Sequence, residues 1–347
     1  MKIKNQVQRF LFILCVAFTL FSCDEDKEVI ERLPTIVEIV KADANFSILA
    51  EALKKTTLDV TLNNPGSYTV FAPTDAAFEL AGYSRLQINR WDPVTDRALI
   101  DNLRLVLQNH VLGVGTRAND LVAFGYSRTF VLPNSRPGNN LFVSKSENDF
   151  LINGGLATTV GAKITKSDID ASNGVIHVID RILGQPTIVD HLIANPDLSS
   201  LLTVVTSELY GDQSVVRNVL TNANTAAPLT VFAPNNAAFT TATGEGGYFT
   251  RITVTPENIT KILQYHVSRG NLTSGSATSW NNNADVTVTT LAPGATANQT
   301  FKIERATVKL TELPTPATPA SLIKAVNIQA TNGVIHIIDR VLQPVLE

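Results

Sequence analysis

Asn173-Gly174-Val175-Ile176-His177-Val178-Ile179-Asp180 occurs twice in this chain, returning 159 residues later as Asn332-Gly333-Val334-Ile335-His336-Ile337-Ile338-Asp339. Asn-Gly readily takes the positive φ of a tight hairpin turn, and the β-branched residues after it favour a strand. Each copy therefore reads as the closing strand of a domain. Side chains alternate faces along a strand. Val175, His177 and Ile179 share one face, and Ile176, Val178 and Asp180 share the other. His177 and Asp180 are thus predicted to point to opposite sides, which rules out a local catalytic pair.

Two further blocks repeat in the same order. Thr69-Val-Phe-Ala-Pro-Thr-Asp-Ala-Ala-Phe78 is echoed by Thr230-Val-Phe-Ala-Pro-Asn-Asn-Ala-Ala-Phe239, and Leu107-Gln-Asn-His110-Val111 by Leu263-Gln-Tyr-His266-Val267. Nearly constant offsets across three ordered blocks mean a tandem duplication. Within the first block Tyr68 to Ala72 predicts a buried strand, Pro73 its stop and Thr74 the N-cap of the next helix, with Phe78 completing a hydrophobic staple. Leu99, Leu103, Val106, Leu107 and His110 are predicted to share the apolar side of one helix. His110 there reads as a core histidine.

The blocks together resemble the fasciclin (FAS1) family, whose domains carry an opening TVFAP block, a central Tyr-His block and a terminal NGVIHVID block. The resemblance runs from about Leu33 to the C-terminus. It implies an α+β fold of two tandem FAS1 domains, each a seven-stranded β-wedge or sandwich with helices packed along one edge, over residues 34–184 and 185–347. It also implies that His110, Tyr265, His266, His177, Asp180, His336 and Asp339 are motif residues, which the residue patterns read as structural. Asn109 departs from the family by replacing the tyrosine that copy two keeps at Tyr265. In animal matrix members an Asp-Ile pair belongs to integrin-adhesion peptides, so Asp168 and Ile169 are candidate ligand contacts. Copy two has Asn327-Ile328 and lacks that carboxylate.

Residues 1–22 read as a signal peptide: Lys2, Lys4 and Arg9 precede an apolar run from Phe10 to Phe21 that is too short to span a bilayer. Leu20-Phe21-Ser22-Cys23 resembles a bacterial lipobox, which implies cleavage before Cys23 and lipidation of its thiol. Residues 23–33 form an acidic tether opening with Asp24-Glu25-Asp26-Lys27-Glu28. That stretch resembles the post-cysteine segment of surface lipoproteins in Bacteroidetes-type bacteria. The expected location is the outer membrane, surface-exposed, with the periplasmic face as the alternative. The sole other cysteine, Cys15, leaves with the signal, so no disulfide is expected.

Without residues 1–22 the chain keeps 25 Lys and Arg against 31 Asp and Glu, a net charge of −6. An acidic chain without a basic cluster is a poor nucleic-acid ligand, so the membrane is expected as a partner only through the acyl anchor. There is no Gly-x-Ser-x-Gly, no phosphate-binding glycine loop and no His-Glu-x-x-His. No enzyme, cofactor or metal is expected. The leading expectation is cell-surface adhesion through a protein or glycan ligand. The alternative is a glycan-capturing accessory lipoprotein of a polysaccharide-uptake system, using Trp280, Trp91 or loop tyrosines such as Tyr248, since a ring face stacks on a pyranose. Either tryptophan could instead plug the domain base. His191 reads as surface or interdomain, and the oligomeric state is open.

Overall fold

A computed structural model describes residues 32–130, 138–207, 216, 218–220, 226–274, 285–304, 307–312 and 320–346. Residues 34–347 form one compact unit built from the two copies. Copy one contains helices α1 (Ile36–Ala42), α2 (Ser47–Lys55), α3 (Leu58–Leu62), α4 (Asp75–Leu80), α5 (Arg85–Arg90), α6 (Arg97–Gln108) and α7 (Ala118–Phe124). Its strands are β1 (Tyr68–Pro73), β2 (Val111–Leu112), β3 (Tyr126–Arg128), β4 (Asn140–Ser146), β5 (Asp149–Ile152), β6 (Ala162–Ala171) and β7 (Gly174–Ile179). They lie in the order β2-β1-β7-β6-β5-β4-β3. Only β1 and β7 run parallel. The two ends of that order meet again at the bridge Leu112–Thr129, so the sheet folds back on itself into a wedge.

This closure explains why the repeated blocks are apolar on both faces. Val70, Ala72, Ile176 and Val178 pack with Ile36, Leu49, Leu103 and Leu107 from the helices. Phe71 and Ile179 face the other way, into a core with Leu141, Val143, Ile152 and Ile164 from the folded-back strands. Copy two repeats the plan with β8 (Leu229–Pro234), β9 (Val267–Arg269), β10 (Val286–Thr289), β11 (Thr300–Glu304), β12 (Lys309–Glu312), β13 (Ser321–Ala330) and β14 (Gly333–Ile338). β14 again lies parallel to β8. Its helices include α8 (Ile188–Ala194), α9 (Ser199–Thr206), α10 (Asn236–Thr243) and α11 (Pro256–Tyr265).

Caps set the helix starts. Thr35 and Thr187 each build a capping box, with Glu38 and Asp190. Thr74 and Asn235 cap the helix after the opening strand. Asp75 does more than favour its own helix dipole: its carboxylate accepts from the Ile48 amide at 2.7 Å and the Ser47 hydroxyl at 2.6 Å, and so caps α2. Asn236 does the same for α9 through the Ser200 amide.

Two sequence expectations are corrected. Leu99 is 47 % exposed, because α6 starts at Arg97 and turns Ile100, Leu103 and Leu107 inward instead. In the repeated turn, Gly174 but not Asn173 has positive φ. Asn173 is buried and works as a clip: its Oδ1 accepts from the Ile36 amide at 3.0 Å and its Nδ2 donates to the carbonyls of Leu62 at 2.7 Å and Asn64 at 3.0 Å. Asn332 holds Ile188 and Leu220 in the same way. Asn173→Ala leaves Ile36 N–H and Leu62 C=O unpaired in the interior and is expected to cost about 2–4 kcal/mol. Urea unfolding that moves by less than about 0.5 kcal/mol would contradict the clip.

Candidate functional site

The motif histidines serve the fold. His110 and His266 stand just past the ends of α6 and α11, and each ring joins two distant stretches of backbone. Nδ1 of His110 donates to the Val106 carbonyl at 2.8 Å, and Nε2 accepts from the Leu183 amide at 2.8 Å, where the chain leaves the domain. His266 repeats this with Ile262 and Leu342. Burial drives both pKa values down to about 4, so the rings are neutral and their two nitrogens are fully used.

His177 and His336 sit at the centre of the parallel strand pair, tilted over Phe71 and Phe232 with ring centroids 5.6 and 5.3 Å apart. His177 accepts from the Asp168 amide through Nδ1 and donates to the Thr116 carbonyl through Nε2. His336 does so with Asn327 and Leu272. Burial lowers the pKa of both, that of His336 to about 4. Asp180 lies away from the His177 ring and accepts from the Lys163 amide at 2.8 Å. Asp339 likewise accepts from Leu322 and also pairs with Lys324.

Asp168 occupies a bulge in β6 at φ 60°, and Asn327 occupies the matching bulge in β13 at φ 59°. Asp and Asn tolerate that left-handed conformation better than other side chains with a Cβ. Each side chain then receives an amide, Ala118 for Asp168 and Ser274 for Asn327. Ile169 is partly buried against the helical core. The shared geometry means that the carboxylate charge is dispensable for folding. Asp168→Asn is expected to change stability by under about 0.5 kcal/mol, and Asp168→Leu to lose about 2 kcal/mol through strain and an orphaned amide. Calorimetric unfolding of the pair of variants checks the contrast.

Tyr265 is fully buried; its hydroxyl donates to the Thr300 carbonyl at 2.8 Å and its ring meets Phe301 edge-on. Trp91 is 8 % exposed and packs edge-on against Tyr83, and Tyr248 is buried as well. Neither presents an open ring face. Trp280 and Cys23 lie outside the described residues. Among the described residues, no group of three or more His, Cys, Asp or Glu is placed to hold a metal, and no helix is long and apolar enough to cross a membrane.

Of the seam between the copies the sequence reading had His191 alone, as surface or interdomain; the structure makes it interdomain and adds residues that reading missed. Tyr126 of copy one packs against Phe142 and edge-on against His191 of copy two, with centroids 4.8 and 5.6 Å apart. Its hydroxyl accepts from Asn195 Nδ2 at 3.1 Å. His191 is completely buried here, and that burial lowers its pKa to about 4. Asn140 Oδ1 crosses the seam to the Gln329 amide at 2.9 Å. Beside these contacts lies a cleft of about 380 Å³, lined by both copies. Asn109 sits in its wall, 3 % exposed, with Nδ2 on the Gly184 carbonyl and with no partner for Oδ1. Nothing in local pattern marks Tyr126, but the departure from tyrosine at Asn109 was a visible sign of the cleft.

Two copies of one α+β module, with their shared motifs spent on closing each module, define a tandem repeat protein. Residues 44–186 and 197–344 match the Fasciclin domain, and the chain belongs to that family. It is 30% identical over 168 residues to transforming growth factor-beta-induced protein ig-h3 of Sus scrofa, a match covering 48% of this chain and 21% of that protein. It therefore spans about a fifth of that relative. It is 32% identical over 155 residues to the uncharacterized protein sll1735 of Synechocystis sp., covering 44% of this chain and 98% of that one. A solved FAS1 domain pair from the insect cell adhesion molecule Fasciclin I aligns at 17% identity and TM-score 0.48, over 86% of this chain and 97% of that one.

Proposed function

We propose that the protein is a lipid-anchored adhesin of the outer membrane, held by an acylated Cys23 and displayed at the cell surface, that binds through the outer surfaces of its two Fasciclin domains. One observation carries the reading. The motif histidines and the acidic residues beside them spend their polar atoms on internal backbone hydrogen bonds, so chemistry at those positions is traded for rigidity. Rigid paired modules on a tether suit recognition by shape. The same placement supports non-catalytic binding.

The test has two arms. Mass spectrometry of the mature N-terminus is expected to find a diacylglyceryl-modified Cys23, and cells lacking the gene are expected to attach and aggregate less than the parent. An unmodified amino terminus removes the anchor, and unchanged attachment removes the adhesin. Protease treatment of intact cells decides between surface display and the periplasmic face.

A further inference from the structure

We infer that the cleft between the two copies is a binding site for an uncharged oligosaccharide. Its volume of about 380 Å³ lies within the range of small-molecule sites. Among the described residues, its walls carry no charged side chain. They carry amides instead: Gln108, Asn109 and Asn139 from copy one, Gln185 from the junction, and from copy two Asn271 and Gln329, whose side chains are already joined to each other and leave only their remaining valences for a ligand. A side-chain amide offers both donors and acceptors, which matches the hydroxyls of a sugar, each donor and acceptor at once. An anionic or cationic ligand would be stripped of water there without finding a counter-charge among the described residues. Phe130 adds an apolar wall suited to the C–H face of a pyranose.

Asn109 supplies an independent sign. Its Oδ1 is buried without a partner, and buried polar atoms in native proteins are nearly always paired. A ligand hydroxyl donating to it would complete the set, since Nδ2 is already held by Gly184. At the matching position copy two carries the bulky Tyr265 ring, closed into its core with its hydroxyl bound. The exchange of tyrosine for asparagine thus leaves an amide where a ring would stand. Pairing of the copies is needed for the site, because both contribute to its wall. The adhesin reading is not: sugar binding by a protein that promotes no attachment would leave the site assigned and that reading refuted.

The experiment is saturation-transfer NMR on the purified full-length protein with neutral gluco-, manno-, galacto- and xylotrisaccharides, and with trigalacturonate as the charged comparator. Transfer to at least one neutral trisaccharide is expected, with none to trigalacturonate. Asn109→Tyr, which installs the residue of copy two, is expected to weaken binding at least about tenfold with the unfolding midpoint retained. Gln108→Ala, a smaller change, is expected to weaken it severalfold and decides the matter should the tyrosine variant not fold. Silence from every neutral sugar, transfer to trigalacturonate alone, or affinity within twofold of the parent in a folded variant would overturn the assignment.

Discussion

Acidification from pH 7 to pH 5 is expected to destabilise this protein strongly, well before its carboxylates titrate. His110, His191, His266 and His336 have pKa values held near 4 by burial, against about 6.5 in an unfolded chain. The sign follows from proton uptake. Below pH 6.5 the unfolded chain binds protons that the folded one refuses, so stability is complete above 6.5 and drains away as pH falls towards 4. Each histidine is expected to withdraw about 2 kcal/mol by pH 5. Copy two carries three histidines with lowered pKa values, His191, His266 and His336, against His110 and His177 in copy one, and should open first. Hydrogen exchange resolved by peptide, comparing residues 174–179 with 333–338 at pH 7, 6 and 5, reads the order directly. Equal protection in both copies across that range would show that the rings accept protons in place.

The second large effect is expected from Gly333→Ala and Gly174→Ala. Each glycine opens the closing strand beside the first residue of its parallel partner, Leu229 or Tyr68. An added Cβ would land on that partner's carbonyl oxygen, and the φ of 154° at both sites is one that side chains avoid. The neighbouring atoms are backbone and cannot swing aside, so a loss of at least about 3 kcal/mol is expected, confined to the copy that carries the change. Urea unfolding with the same peptide-resolved exchange checks it. A variant within about 0.5 kcal/mol of the parent would mean that the parallel pair can part at its end without penalty.

What the sequence displayed and what it hid divide along sequence distance. The duplication, the strand in Tyr68–Ala72, the Thr74 cap and the outward chemistry of Asp180 were all readable, because each depends on neighbours within a few residues. The partners of Asn173 lie more than 100 residues away at Ile36, Leu62 and Asn64, so the residue looked like a turn former. His110 was readable as a core histidine, but the amide it accepts, on Leu183, was not. Leu99 was misplaced because the helix start at Arg97 rests on an Asp96 that makes no side-chain cap, leaving no local mark of where the face begins. Apart from His191, the seam was hidden for the same reason as the clips. Tyr126 belongs to a three-residue strand with no periodicity to read, and its partners His191 and Asn195 come from the other copy.

The parallel pairing of β1 with β7 has a consequence for biosynthesis. Thr69 meets Val175 across most of a copy's length, and no earlier strand can stand in for the latecomer. Contacts of such span are slow to form, because loop-closure entropy is spent before they stabilise anything. A ribosome therefore releases nearly a whole module before its parallel pair can form, and then repeats the wait for the second. During each interval the opening strand stands without its parallel partner. Once the last strand docks, that window shuts for the module as a whole.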